Sequence, residues 1–371
     1  MLKVLQVINS LSSGGAEVFV SQLSVALSKK CDTKVLTYAG ELDEKGKYLK
    51  QYLLENEVQY TSLNVKSKLK RLLVPLSFAY EIIKWKPDII HVHLDRCEQF
   101  IYFANLFCFR KIIAVRTKHN SRKFSNSIIN KLLNGFYVKN IACSNASLMP
   151  LIESGLKNKT ILIENGIDVT SCQYLNSADK ELLRLKLDLP KNKIILLHIG
   201  SMHGELTSSP KAHDVILKAL SLYKNNDTYE VIFLGGGGNL KNLKGIASVL
   251  GLEKIVSFKG IVPNVQDYLN CADIFILPSR WEGLPISAIE AACAGLPMIL
   301  SDIEPFREFE SKSVIKCAVG SPESLATSIN AVISNLDDYK KHALNALDIN
   351  KNKYSIKTVA EKHINLYQGL L

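Results

Sequence analysis

The sequence predicts an α/β protein built from two doubly wound domains, each with a parallel sheet, facing a central cleft. Three observations carry this. The chain has 371 residues, too many for one ordinary core. Short apolar runs with strand character alternate with amphipathic helical patterns, the mark of a parallel sheet covered by helices. The alternation also starts afresh near residue 193.

The first half opens with a strand, KVLQVI (3–8), and a polar turn, NSLSSGGAE (9–17). A helix follows, with Val18, Leu23, Val25 and Leu27 in its apolar set. TKVLTYA (33–39) and VQYTSLNV (58–65) read as strands, and LKRLLVPLSFAYEIIKWK (69–86) as a helix stopped by Pro87. DIIHVHL (88–94), KIIAVRTKH (111–119) and NIACSN (140–145) are the next strands.

The second half repeats the scheme. Its strands are KIILLHIG (193–200), YEVIFLGGGG (229–238), IVSFKGIV (255–262), DIFILPS (273–279) and PMILSD (297–302). The helix AHDVILKALSLY (212–223) follows the first of them, and residues 165–190 form the connection. YSIKTVAEKHINLYQGLL (354–371) is a separate amphipathic helix. The expected division is therefore 1–168, 169–353 and a closing helix over 354–371. Ligands of such sheets bind beyond the C-terminal ends of the strands, so the chemistry is expected on the loops there.

Charge and composition narrow the function. Residues 1–170 hold 24 Lys and Arg against 14 Asp and Glu, which is nearly all of the net +11. A basic half suits a phosphate-rich partner: nucleic acid, an anionic membrane, or a diphosphate substrate. No nucleic-acid motif is found, which leaves the other two. MLKVLQVINS does not read as a signal peptide, and runs such as FIYFANLFCF (100–109) are too short to span a bilayer. Eight scattered cysteines without a C-x-x-C pair fit free thiols in a reducing cytosol.

Within SRWEGLPISAIEAACAGLP (279–297), Glu282 lies in the loop after a strand and Glu290 in the apolar helix that follows. The backbone N–H groups near Gly283 and Leu284, with the helix dipole, form an anion site between the two acids. Sugar hydroxyls, a diphosphate and ribose hydroxyls match that layout. Alone, two acids at this spacing also read as a capping carboxylate and a partly exposed Glu. Gly14 and Gly15 lie between a strand and a helix start, where glycine lets the backbone approach a phosphate; an ordinary turn reads the same way. There is no G-x-G-x-x-G, so a dinucleotide fingerprint is absent. His91 and His93 share one face of their strand, and His93 is nearer the C-terminal edge. No third ligand at plausible spacing makes them a metal site, and the acidic LDDY (336–339) falls in a helical tail.

Taken in order, these segments closely resemble the large retaining glycosyltransferase family with the two-domain GT-B fold, commonly called family 4 or glycosyl transferases group 1. SRWEGLPISAIEAACAGLPMILSD resembles its E-x7-E motif and VINSLSSGGAE its Gly-Gly-Ala-Glu loop. PDIIHVH resembles its His loop, ENGID (164–168) its interdomain segment, and the C-terminal helix one that crosses back to the first domain. The resemblance implies two Rossmann-like domains, the first binding acceptor and the second nucleotide sugar. It implies that His93 contacts the donor sugar near the reacting carbon and that RTKHN (116–120) lines the acceptor side. HIGSMHGELTSSPKAHDVILKAL (198–220) resembles the phosphate-binding segment, with Gly200 at the backbone approach and Lys211 reaching the diphosphate. Two departures stand out. Ser201 replaces the Arg that many members have after the Gly, and the stretch to Lys211 is about five residues longer than usual. Arg280 or Arg116 could restore the missing charge. The resemblance places the base at SFKGIV (257–262).

The expected activity is transfer of a hexose or N-acetylhexosamine from a UDP-sugar to a glycan acceptor, lipid-linked, in surface-polysaccharide synthesis. Retention of configuration is implied by the resemblance; no metal and no cofactor beyond the donor are expected. Two other readings stay open: a non-catalytic acceptor-binding partner of another glycosyltransferase, and a GT-B nucleotide-sugar epimerase. The expected location is cytoplasmic, peripheral at the inner face of the membrane. Lys66, Lys68, Lys70 and Arg71, ahead of an apolar helix carrying Trp85, are the expected contact with anionic lipid.

Overall fold

The computed structural model describes residues 1–65, 67, 69–125, 127–222 and 228–371. Lys66 and Lys68, named above as lipid contacts, lie outside the described residues. The chain divides into two compact units: Met1–Ile167 with Ser355–Leu371, and Asp168–Tyr354.

The first unit runs β1 (Lys3–Ile8), α1 (Gly15–Ser28), β2 (Asp32–Thr37), α2 (Glu44–Glu55), β3 (Gln59–Ser62), α3 (Val74–Trp85), β4 (Ile89–His93) and α4 (Asp95–Asn105). It continues with β5 (Ala114–Lys118), α5 (Ile128–Phe136), β6 (Lys139–Ala142), α6 (Asn145–Glu153) and β7 (Thr160–Leu162). The second unit has α7 (Ser177–Lys186), β8 (Ile194–Ile199), α8 (His213–Leu222), β9 (Tyr229–Leu234), α9 (Leu240–Val249), β10 (Val256–Gly260), α10 (Val265–Cys271) and β11 (Ile274–Leu277). α11 (Ile286–Cys293), β12 (Met298–Ser301), β13 (Val314–Cys317), α12 (Pro322–Ser334), α13 (Leu336–Asn345) and α14 (Leu347–Tyr354) complete it. The last helix, α15 (Ile356–Gln368), belongs to the first unit.

Both sheets are parallel and doubly wound. Their strand orders are β3-β2-β1-β4-β5-β6-β7 and β10-β9-β8-β11-β12-β13. The central strands are buried on both faces, as parallel strands covered by helices must be: β1, β4 and β11 are almost continuous runs of buried residues. In each unit the winding reverses between two neighbouring strands, β1 and β4 in the first and β8 and β11 in the second. The loops after those strands flank the crevice where α/β sheets bind ligands.

Four elements differ from the sequence reading. β7 and β13 were not expected. They are edge strands of three and four residues, too short for a periodic signal, and they form by pairing with β6 and β12. The helix expected over 69–86 is split: a 3₁₀ turn, Lys70–Leu73, precedes α3. Residues 165–190, read as the connection between the two halves, contain α7, which is anchored to the second sheet. Asp273, just before β11, accepts from Lys180 Nζ at 2.8 Å, Arg184 at 2.5 Å, Lys340 Nζ at 2.9 Å and the Ile195 amide at 2.8 Å.

Among the described residues, no helix is long and apolar enough to cross a membrane.

Candidate functional site

In the second unit the loop between β11 and α11 carries four of the ten predicted residues, Arg280, Glu282, Gly283 and Leu284. Glu282 Oε1 accepts from Lys211 Nζ at 2.6 Å and from Ser279 Oγ at 2.7 Å. Ser279 is fully buried and its carbonyl accepts from Ser301 Oγ, which fixes the loop to β12. Two residues predicted separately, 71 positions apart, thus meet where the sheet reverses direction.

Arg280 straps the two loops together. Its guanidinium forms two hydrogen bonds with the Asp214 carboxylate, at 3.0 and 2.9 Å, and a third with the Ser209 carbonyl at 3.0 Å. Its amide donates to the Pro210 carbonyl. The charge expected to stand in for the Arg missing at Ser201 is therefore matched by Asp214, and the side chain shapes the loop. Arg116, the other candidate, is in the first unit and nearly fully buried. It donates to Glu98, Asn140 and Asn134 at 2.6–2.7 Å and lies over Phe124 and Tyr137. It holds that core together. Ser201 itself is exposed.

The extra residues between Gly200 and Lys211 are stitched to the glycine run after β9. The Met202 amide donates to the Gly236 carbonyl, and the Asn239 amide to the Met202 carbonyl. Gly235 and Gly237 have positive φ, and a Cβ there would strike the Gly200 and Met202 carbonyls. A Cβ on Gly200 would meet the Lys211 side chain and His198. Ala212, next to Lys211, has φ 52°, a left-handed conformation that costs a non-glycine residue energy and tends to persist at functional sites.

α11 begins at Ile286, with Pro285 as its extended N-cap. Six of its eight residues are buried; Ser287 and Glu290, three apart on one face, are the partly exposed ones. Glu290 thus leaves the apolar packing by this face of the helix. Gly283 and Leu284 are buried directly before the helix, where backbone N–H groups gather.

In the first unit, Gly14 is the N-cap of α1 and Gly15 its first residue. A Cβ on Gly14 would strike the Glu17 carboxylate, which accepts from Ser12. Burial raises the Glu17 pKa. His93, at the end of β4, is 0% exposed and both ring nitrogens are engaged: Nε2 with Gln6 Oε1 at 2.7 Å, Nδ1 with His119 Nε2 at 2.9 Å. With the amide oxygen as acceptor, Nε2 carries the proton and His119 donates to Nδ1. Burial, then the neighbouring His91, His119 and His363, hold the His93 pKa well below its ordinary value. His119, the other ring of this pair, is a partly exposed residue whose imidazole is buried, which lowers its pKa to about 4.

Sequence reasoning missed the support behind these rings. His91 Nδ1 pairs with Tyr367 Oη and Nε2 with Thr117 Oγ1, both at 2.7 Å. His363 lies 5.5 Å from His91, centroid to centroid. Tyr367 and His363 come from α15, and their i, i+4 spacing on its apolar face was the available signal. Leu94, directly after His93, has φ 72° and ψ 140°, a second strained non-glycine residue beside a predicted group. Among the described residues no three His, Cys, Asp or Glu side chains are grouped so as to hold a metal ion.

Residues 13–171 match the family model described as Glycosyltransferase Family 4, and residues 179–347 that described as Glycosyl transferases group 1. The chain is 24% identical to the capsular polysaccharide biosynthesis glycosyltransferase CapH of Staphylococcus aureus, over 97% of this chain and 98% of that protein. It is 24% identical to the O-antigen biosynthesis glycosyltransferase WclY of Escherichia coli, over 93% and 97%. Among solved structures it is similar to Anabaena HepE in complex with UDP and glucose, with TM-score 0.84 and 20% identity, covering 99% of this chain and 100% of that one. Two family models that together run through both units, on a pair of doubly wound sheets, identify the chain as a member of the GT-B glycosyltransferases, family 4 and group 1.

Proposed function

We propose that the protein transfers a hexose or N-acetylhexosamine from a UDP-sugar to a lipid-linked glycan acceptor, with retention, in the synthesis of a surface polysaccharide. The observation that carries the reading is the Lys211–Glu282–Ser279 constellation at the head of α11, at the reversal of the second sheet. It joins a cation, a carboxylate and a helix N-terminus, the groups a sugar diphosphate needs. CapH and WclY are named for capsule and O-antigen synthesis, and HepE was solved with UDP and glucose, which supports the donor and product classes.

In this reading the second unit takes the nucleotide sugar and the first the acceptor. The diphosphate draws Lys211 away from Glu282 and receives the N–H groups near Gly283 and Leu284. Glu282 turns to the sugar hydroxyls, and Glu290 holds the ribose. The acceptor oxygen attacks the anomeric carbon as the bond to the β-phosphate oxygen breaks, and the acceptor proton passes to the departing phosphate. Lys211 and the backbone donors stabilise the charge that develops on UDP. His93, engaged on both sides, would act through the orientation of His119. The protein works at the inner face of the cytoplasmic membrane, where a lipid-linked acceptor would be found.

Exposed Ser201 favours a second reading, a non-catalytic acceptor-binding partner. A screen of nucleotide sugars for thermal stabilisation and for UDP release, with and without lipid-linked acceptor, decides. Stabilisation by one UDP-sugar with acceptor-dependent UDP release supports transfer. Stabilisation by none, with no release, removes it.

A further inference from the structure

Two buried histidines of the second unit have no role in the transfer described above, yet both lie against the residues assigned to the diphosphate. His198 is in β8, between β9 and β11 at the centre of the sheet, and His213 is the first residue of α8. Gly200 comes two residues after His198, and Lys211 two residues before His213. The rings meet edge to face, 4.8 Å apart at 82°, and the Phe233 ring of β9 lies against both. They belong to residues 0% and 2% exposed.

Each ring keeps one nitrogen bare. His198 Nδ1 lies 2.9 Å from the Ile276 carbonyl. A carbonyl only accepts, so Nδ1 carries the proton and Nε2 a lone pair. Among the described residues, neither His198 Nε2 nor His213 Nε2 has a hydrogen-bond partner. A buried polar atom without a partner is costly and uncommon. His198 Nε2 is at the turn itself: a Cβ on Gly200 would lie 3.1 Å from it and 2.9 Å from Lys211 Cγ.

The charges around the pair cancel. Lys211 is matched by Glu282 at 2.6 Å and Arg280 by Asp214 at 2.9 Å. Lys211 from the loop before α8, Asp214 from α8 and Arg280 from the β11–α11 loop are the charged groups that act on His213 among the described residues, and the Gly200 backbone favours its charged form. His198 is acted on by His213 and Lys211, with the Ile276 carbonyl from β11 opposing them. Burial, followed by the Lys211 charge, lowers the His213 pKa to about 4, and burial with His213 holds His198 well below its ordinary value. The positive end of the α8 dipole also disfavours a cation at His213. Both rings are therefore neutral until an anion arrives.

A diphosphate brings more negative charge than Lys211 alone can match. Arg280 is committed to Asp214, and Ser201, next to Gly200, is uncharged and exposed. The bases left at the turn are the two imidazoles with bare nitrogens, and a nearby anion favours their charged form. We propose that the His198–His213 pair takes up one proton when a nucleoside diphosphate binds at Gly200 and Lys211, with His213 carrying it, and so supplies the second positive charge of the donor site. The proton comes from solvent and returns there when UDP leaves. Two rings this close repel each other's charge, so the pair takes a single proton. The inference rests on the donor site proposed above and adds to it a group that senses the diphosphate.

The test is calorimetry of UDP binding in two buffers of different ionisation enthalpy, at about pH 8 and 6.5, on wild type, His213→Gln and Ser201→Arg. The nucleotide's own proton exchange is common to the three proteins and cancels in the comparison. Wild type should take up more protons than His213→Gln near pH 6.5. By reciprocity between proton and ligand, its UDP affinity should rise at least threefold more than that of His213→Gln from about pH 8 to 6.5. Ser201→Arg, at an exposed position, supplies a fixed cation; it should bind UDP at least fivefold tighter than wild type at about pH 8 and lose at least half of the proton uptake. Thermal unfolding reports whether His213→Gln is folded, and if it is not, wild type against Ser201→Arg decides. UDP binding by wild type with no more uptake than His213→Gln overturns the proposal and leaves the donor site standing. Undiminished uptake in Ser201→Arg overturns it too, because the proton would not be answering a missing charge. Wild-type protein that binds no UDP removes the donor site and this inference together.

Discussion

Lys211 Nζ lies 2.6 Å from Glu282 Oε1, so the cation and the carboxylate proposed to handle the donor neutralise each other before it arrives. In the proposed reaction a diphosphate would bring negative charge to Lys211 and free Glu282 for the sugar. Until then the pair holds each group in position. Glu282→Gln removes the competitor for Lys211. UDP should bind as tightly as to wild type or tighter, while turnover falls by about 10²-fold, because the contact to the sugar matters most in the transition state. Lys211→Ala should weaken UDP and cut kcat/KM by about 10²–10³-fold. Glu290→Ala, at the partly exposed face of α11, should weaken UDP without the kcat loss of Glu282→Gln. Calorimetry with UDP and steady-state kinetics check all three, and equal loss of UDP affinity in the Glu282 and Glu290 variants would reverse the assignment.

The leaving group in this scheme is stabilised by Lys211 and backbone donors, so transfer should need no divalent metal. Full activity is expected in excess chelator. Activity that chelator removes and magnesium or manganese restores would mean that the metal, rather than Lys211, carries the diphosphate charge.

Much of this was legible in the sequence. The strands at the centre of each sheet announce themselves by unbroken apolar runs, because both faces are covered. The loops after β1, β4, β8 and β11 follow from the rule that doubly wound sheets bind at their C-terminal edges. Partnerships between distant side chains were not legible. Arg116 and Arg280 read alike as spare cations, yet Glu98 and Asp214 hold them, and no local pattern links residue 116 to 98 or 280 to 214. The histidine support from α15 was hidden for the same reason: Tyr367 and His91 are 276 positions apart. The edge strands β7 and β13 were missed because neighbouring strands, rather than their own sequence, make them strands.

The Arg116–Glu98 pair gives a stability prediction. Its side chains are 2% and 5% exposed and its ions are 2.7 Å apart. Arg116→Met strands the Glu98 carboxylate in the core and should cost about 3–5 kcal/mol, the usual result of breaking a buried pair from one side. Adding Glu98→Gln should recover part of that loss, since no charge is then left behind. Urea unfolding of the two variants measures it. A single variant within about 1 kcal/mol of wild type would show that water reaches Glu98.

The buried imidazoles give the protein an acid limb of stability that begins above the carboxylate range. Burial, reinforced by neighbouring histidines, holds His91 and His93 well below the ordinary value and lowers His119 to about 4. Burial also lowers His363 and His213 to about 4 and holds His198 well down. A histidine in the unfolded chain titrates near pH 6.5. Between about pH 6.5 and 4, then, the unfolded chain binds protons that the folded protein refuses. Stability present above the unfolded value is lost as pH falls through this window. Glu17 and Glu98, whose carboxyls burial holds up, pull the other way, but they are two groups against six. The urea midpoint should stay level from about pH 8 to 7 and fall continuously from about pH 6.5 toward 4. His119→Gln keeps a hydrogen-bonding side chain beside His93 and removes one titrating ring, so its slope in this window should be shallower than that of wild type. A midpoint flat down to pH 5 in wild type would mean that these rings take up protons in the folded state, and that the His93–His119 contact is not the neutral pair described here.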